Sequence, residues 1–134
     1  MPNAVLVSRT ILFGDCDPAG VVYTPRFSYF AVEAIYVALD KWLGVPGLRT
    51  LMGFDILPPV RAMSFELLAP VTWDDKLNIK VGVAKLGAHS FTFLVEGFLD
   101  NGTLSFVANI THVCVSPKTK EVVAVPAQLR ALLS

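Results

Sequence analysis

TPRFSYFAVEAIYVALDKWLGVP, residues 24–46, decides the fold. Phe27, Phe30, Ala31, Ala34, Ile35, Ala38, Leu39 and Trp42 recur at steps of three and four, which draws one continuous apolar stripe along a helix. Thr24-Pro25 has the form of a helix start, because Thr can cap orphan amides and Pro is tolerated at the first helical position. Lys41 falls in the last turn, Gly44 can take the left-handed cap, and Pro46 blocks continuation. Val32, Tyr36 and Val37 widen the apolar surface beyond one stripe, so the helix is expected to be wrapped by a sheet on more than one side.

On either side of this helix the apolar period is two. Ala4 to Phe13 reads as a first strand, rich in Val, Leu, Ile and Thr. After the helix, Val60–Leu68, Lys76–Lys85, His89–Asp100 and Thr103–Ser116 read as strands; in the third of these Phe91, Phe93 and Val95 share one face. Asp100-Asn101-Gly102 has strong hairpin chemistry, so the last two strands should pair antiparallel. Pro126 to Leu133 reads as a short closing helix. One strand, one long helix and four further strands in a meander predict an α+β fold, with helices on one face of an antiparallel sheet.

The 134 residues suit one domain, 1–134. Hydrophobic residues make up 54% of them against 16% charged, and 11 basic residues balance 11 acidic ones. That balance gives no basic surface for nucleic acid or an anionic membrane, and so few charges predict an apolar face that closes against another subunit. No window runs long enough without a polar interruption to span a bilayer, and residues 1–13 lack the pattern of a secretion signal; the reading is soluble and cytoplasmic. Cys16 and Cys114 lack the spacing of a metal knuckle or a redox pair, so reduced, mostly buried thiols are expected and no metal is implied.

Between the first strand and the helix lies FGDCDPAG, residues 13–20. Asp17-Pro18-Ala19-Gly20 suits a type I turn, with Asp first, Pro second and Gly fourth. The same acid precedes a helix N-terminus whose amides favour negative charge, an arrangement able to stabilise the oxyanion of an ester or thioester while a carboxylate attacks the carbonyl or activates water. The two readings are compatible, since a rigid turn aims a side chain well. Asp15 is expected to hydrogen-bond loop amides. Cys16, between two carboxylates, is a poor nucleophile. His112 falls in an apolar strand as a core or interface residue, His89 begins a strand beside Lys85, where it could meet a phosphate, and Asp74-Asp75 fits a turn.

FGDCDPAGVVYTPRFSYF, Phe13 to Phe30, resembles the active-site segment of the 4-hydroxybenzoyl-CoA thioesterase family of hotdog-fold proteins. FELLAPVTWDDKLNIKVGVAKLGAHSFTF, Phe65 to Phe93, continues the resemblance more weakly. It implies a hotdog fold, a long central helix wrapped by a curved antiparallel sheet of about five strands, built as a dimer that often pairs into a tetramer, with active sites between subunits. It also implies that Asp17 is the catalytic nucleophile or general base and that the Thr24 N–H polarises the thioester carbonyl, since Pro25 cannot donate. Gly20, Tyr23, Phe27, Val32 and Val60 would meet the substrate; Lys85, His89 and Ser90 would meet the phosphates or pantetheine of coenzyme A. Coenzyme A is part of the substrate and no separate cofactor is expected.

Relatives carry His or Tyr where this chain has Thr24, so catalysis should not depend on that side chain. They also tend to carry an acid at the position of Val32, whereas here the acid is next door at Glu33, a helical rotation of about 100° away. An apolar acyl group, aromatic or medium-chain, is therefore expected. A dehydratase of the same fold would need a histidine placed for proton transfer at the substrate's carbon chain, and His89 and His112 lie far from the helix start in sequence. A magnesium phosphatase, suggested by the Asp-x-Asp, needs a larger α/β domain. A non-catalytic acyl-thioester-binding module and a thioesterase acting on acyl-carrier-protein thioesters are the remaining alternatives.

Overall fold

In the computed structural model, which describes residues 1–134, the elements follow in the order β1 (Val5–Thr10), α1 (Arg26–Leu43), α2 (Gly47–Met52), β2 (Val60–Leu67), β3 (Lys76–Leu86), β4 (Ser90–Leu99), β5 (Leu104–Val113) and α3 (Ala127–Leu133). All five strands join one antiparallel sheet in the order β1-β3-β4-β5-β2. The stripe on α1 is buried as its spacing requires, from Phe27 to Leu39. It meets Leu77, Ile79 and Val81 of β3, Phe91, Phe93 and Val95 of β4, and Phe106, Ala108 and Ile110 of β5 in one contiguous apolar core. The last two strands turn through Asp100-Asn101-Gly102 as expected, with Gly102 at φ +88° and the Thr103 amide donating to Asn101 Oδ1 at 2.9 Å.

Only β3, β4 and β5 form the predicted meander. β2 pairs with β5 at one edge, Phe65 opposite Ala108, and β3 pairs with β1 at the other, Val7 opposite Ile79. The segment joining β2 to β3 is no hairpin. It crosses under the start of α1 and is tied there, the Thr72 hydroxyl donating to Gly20 O at 2.6 Å and the Asp74 amide to Ile11 O at 2.9 Å. Asp74 takes φ +71° in the turn expected at Asp74-Asp75. β2 is left as an edge strand, exposed along almost its whole length.

Three local expectations are adjusted. The first strand stops at Thr10 and a single 3₁₀ turn, Phe13–Asp15, follows. The helix begins at Arg26, and the Thr24 side chain caps nothing; the turn ahead of it is closed by the Arg26 amide on Tyr23 O and the Phe27 amide on Thr24 O. The six-residue α2 was not legible, being too short to show a period. It is held by tertiary contact, with the Gly47 amide donating to Asp40 Oδ1 at 2.6 Å. A Cβ at Gly47 would run into the backbone of Leu39 and Asp40, so only glycine lets α2 lie this close to the end of α1.

A second glycine is also built into the packing. Gly97 on β4 stands opposite Phe106 on β5, and a Cβ there would strike the Phe106 ring. That ring in turn meets Phe27, in the first turn of α1, with centroids 5.4 Å apart. No helix is long and apolar enough to cross a membrane.

Candidate active site

The loop from Asp15 to Tyr23 folds back on itself. Asp17 N donates to Val21 O at 3.0 Å and Tyr23 N to Asp15 O at 2.9 Å, which pairs residues 15–17 with 21–23. Asp17-Pro18-Ala19-Gly20 forms the turn between them, closed by Gly20 N on Asp17 O at 2.9 Å, with Gly20 at φ +83°. The half-buried Asp17 carboxylate accepts the Ala19 amide on Oδ1 at 2.9 Å. Its second oxygen has no partner in the chain and no cation pairs with it. The type of turn expected at Asp17–Gly20 is therefore in place, and it leaves one oxygen of the Asp17 carboxylate unpartnered.

Asp15 does more than hydrogen-bond loop amides. It does receive the Leu12 amide on Oδ2 at 2.8 Å, but it is also gripped by Arg9 at 2.7 Å and Arg26 at 3.3 Å. Burial alone would raise its pKa; the hydrogen bonds from Arg9 and Leu12 and the charges of Arg9 and Arg26 outweigh burial and hold it below the ordinary carboxylate value. One buried anion thus ties β1, the loop and the first residue of α1 together. Arg9 also pairs with Glu33 at 3.1 Å and lies over the Phe30 ring. Glu33 is consequently turned to Arg9 and not to the face of α1 that carries Val32. The two arginines were missed in the sequence because they sit on different elements, a strand end and a helix start, and meet Asp15 only once β1 and α1 pack together; their flanking a loop acid was the available signal.

At the helix start the Thr24 amide donates to nothing in the chain, whereas the Arg26, Phe27 and Ser28 amides are each spent on a carbonyl three residues back. Thr24 stands in the wall of a cavity of about 230 Å³ with Phe27, Val21 and Leu68. Phe27 is largely a core residue, 6% exposed, and only reaches this wall. Asp17 and Gly20 line a separate space of about 310 Å³ beside Phe13 and Trp73, and Tyr23 lines a third of about 350 Å³ with Arg26 and Tyr29. Cys16 forms a wall common to these last two.

Val32 and Val60 are brought together elsewhere. They share the largest cavity, about 600 Å³, with Tyr36, Met52, Pro58 and His112. Lys85, His89 and Ser90 gather on the β3–β4 turn, Lys85 and His89 exposed, and none of them borders any of the four cavities. The single chain thus divides the candidate residues among the Asp17 loop, an apolar cavity and a hairpin turn. No group of three or more His, Cys, Asp or Glu is placed to hold a metal ion.

The sequence model of the Thioesterase-like superfamily matches residues 11–133. The chain belongs to that superfamily. Its fold is the hotdog fold of these proteins, and membership places the chain among thioester hydrolases. A thioesterase-superfamily protein from Jannaschia sp. CCS1 superposes with a TM-score of 0.90 at 30% identity, covering 97% of this chain and 90% of that one. The chain is also similar to the 1,4-dihydroxy-2-naphthoyl-CoA hydrolase of Thermosynechococcus vestitus, 27% identical over 93% of this chain and 85% of the relative. It is similar over a shorter span to the 4-hydroxybenzoyl-CoA thioesterase of Pseudomonas sp. strain CBS-3, 26% identical over 68% of this chain and 65% of the relative.

Two further readings hold in outline in this thioesterase-like domain and gain detail from the structure. His112 is a core residue, but an incompletely satisfied one: Nδ1 lies 2.9 Å from Pro58 O, while Nε2 is buried without a partner. Of the two thiols, both unpaired, Cys114 is buried and Cys16 is half-exposed. Burial pushes the Cys114 thiol up to about 11, against the opposing charge of Arg130, so it stays protonated.

Proposed function

We propose that the protein is an acyl-CoA thioesterase that releases a carboxylic acid and free coenzyme A, with Asp17 as the catalytic carboxylate. The observation that carries this reading is the junction of loop and helix, where an acid with one unpartnered oxygen and the unspent Thr24 amide flank the positive end of α1. Acting as a base, Asp17 takes a proton from water, whose oxygen adds to the thioester carbonyl. The Thr24 N–H then receives the oxyanion; the C–S bond breaks, and the coenzyme A sulfur leaves with the proton. Acting as a nucleophile, the same carboxylate adds to the thioester carbonyl and the C–S bond breaks to leave a mixed anhydride and coenzyme A thiolate; water then opens the anhydride, restoring Asp17 and releasing the acid, and its proton goes to the thiolate.

The acyl group, aromatic or medium-chain, fills the cavity walled by Val32 and Val60, whose volume suits a small organic group. Gly20 and Tyr23 flank the approach to the carbonyl, while Lys85, His89 and Ser90 take the phosphates and pantetheine. The complete site is shared by two copies of the chain. β2 offers an unpaired edge with exposed Val60, Met63 and Leu67, which favours pairing with a second β2 and sets the Val32 cavity of one chain toward the Asp17 loop of the other. Such dimers pair further into tetramers, working in the cytoplasm with no cofactor beyond the coenzyme A of the substrate. Sedimentation should give a multiple of the 14.5 kDa chain mass, and a monomer that is active at all dilutions would sink the shared site.

The direct test is release of free thiol from a panel of aromatic and aliphatic acyl-CoA esters by the parent and by Asp17→Asn. Asn suits the first position of the turn, so the variant should fold and lose about 10²–10⁴ in rate. A variant as active as the parent ends the Asp17 mechanism. A folded parent that hydrolyses nothing in the panel points to an acyl-binding module, or to a carrier-protein thioester as substrate.

A further inference from the structure

His112, which borders the large cavity, carries one buried polar atom that nothing in the chain uses. His112 lies on β5 between Val60 of β2 and Phe91 of β4, its ring stacked on Phe91 at 5.5 Å and edge-on to Phe93. The residue is 8% exposed and borders the cavity together with Val32, Pro58 and Val60. Its Nδ1 is 2.9 Å from Pro58 O. A carbonyl oxygen only accepts, so Nδ1 carries the proton and donates. Burial disfavours the imidazolium and holds the pKa below its ordinary value, although the Pro58 bond opposes this. A neutral ring protonated on Nδ1 leaves Nε2 as a bare lone pair. That atom is buried and has no donor. Buried acceptors are as a rule satisfied, and the adjoining space is where a donor can enter.

We propose that His112 is the specificity-determining residue of the acyl cavity, its Nε2 accepting a hydrogen bond from a hydroxyl on the acyl group. This rests on the thioesterase reading and alters its expectation for the substrate: the cavity is mostly apolar, with Tyr36 and Lys120 in its wall and one buried, fixed acceptor in His112 Nε2, so it selects acyl groups with a hydroxyl at a matching depth. The helix acid is not the recognition group, since Glu33 is committed to Arg9. A site built to accept from a hydroxyl discriminates against the analogue lacking it, because binding that analogue leaves the acceptor unpaired.

The test compares free-thiol release from benzoyl-CoA with that from its 2-, 3- and 4-hydroxy derivatives, and from a linear acyl-CoA with that from its hydroxy derivatives, so that aryl and alkyl hydroxyls are told apart. The enzymes are the parent, His112→Asn, which keeps an N–H for Pro58, and His112→Phe, which keeps the stack on Phe91. At least one hydroxylated ester should exceed its parent ester by about tenfold in kcat/KM, and both variants should lose that ratio. Equal rates for all pairs in the parent, or a ratio kept in both variants, overturns the assignment. Nitrogen NMR of His112 in the full chain gives a readout independent of turnover. Nε2 should move toward the hydrogen-bonded shift on adding the preferred hydroxylated ester and stay in place with its plain counterpart. An Nε2 that never responds, because it is unreached or already held by a fixed water, overturns the proposal even if hydrolysis proceeds. A responding Nε2 without hydrolysis upholds it and strikes only the catalytic reading.

Discussion

The two ends of the candidate site are held by opposite means. Around Asp17 the backbone is fixed by charge: Asp15, Arg9 and Arg26 bind strand, loop and helix start through one buried carboxylate. Around Val32 the walls are apolar side chains from α1, α2 and the approach to β2, and the only buried polar atom without a partner is His112 Nε2. A group that does chemistry must be aimed to fractions of an ångström, which charge-assisted hydrogen bonds enforce. A cavity that selects by size needs surface and volume, with few polar groups placed to discriminate.

The comparison breaks most sharply at Asp15. Asp15→Asn leaves Arg9 and Arg26 without their shared anion and should cost on the order of 2–3 kcal/mol, read by denaturant titration. It should lower kcat for every acyl-CoA alike, because the loop is loosened and the cavity is untouched. Val32→Ala should do the reverse, changing KM for large against small acyl groups by about tenfold while the unfolding midpoint shifts little. A Val32 variant that lowers kcat uniformly would show that the two ends are not separable.

The pH dependence sharpens the contrast further, with the smallest effect. Asp15 has a lowered pKa, so its contribution to stability is present above the model-peptide value of 3.8 and is lost as pH falls below it. His112 has its pKa lowered from 6.5; its neutral form is favoured in the fold, so its contribution is full above 6.5 and fades as pH falls through the unfolded value. The unfolding free energy should therefore decline as pH falls below 6.5, with a slope of at most about 1.4 kcal/mol per pH unit from this one group, and Tm should fall with it. His112→Phe should flatten that region and leave the acid limb below pH 4 in place. Tyr36 and Lys120, on the same cavity wall, are present in both proteins. An unchanged slope would mean that His112 is not held neutral.

What could be read from the sequence was whatever is local. The three-and-four spacing from Phe27 to Leu39, the Asp100-Asn101-Gly102 turn and the Asp17–Gly20 turn each depend on neighbours within a few residues, and each is in place. The resemblance of Phe13–Phe30 supplied the hotdog architecture. The position of β2 was not legible, because a strand's own residues do not say which edge it joins; Val60–Leu67 reads the same beside β3 as beside β5. Nor was the Arg9–Asp15–Arg26 cluster, which exists only once β1 and α1 come together. His112 could be placed in a strand by its apolar neighbours, but its free nitrogen depends on the Pro58 carbonyl, 54 residues earlier.

Gly97 gives the architecture one more property. Since no side chain rises from β4 at that point, the Phe106 ring occupies the space a Cβ would take, and Phe27 in the first turn of α1 packs against it. The ring acts as a spacer, and its thickness sets how high the helix start stands above the sheet. The Thr24 amide is three residues before Phe27 on the same rigid turn. The absence of one methyl group in the middle of the sheet thus sets the level at which the unspent Thr24 amide stands above it.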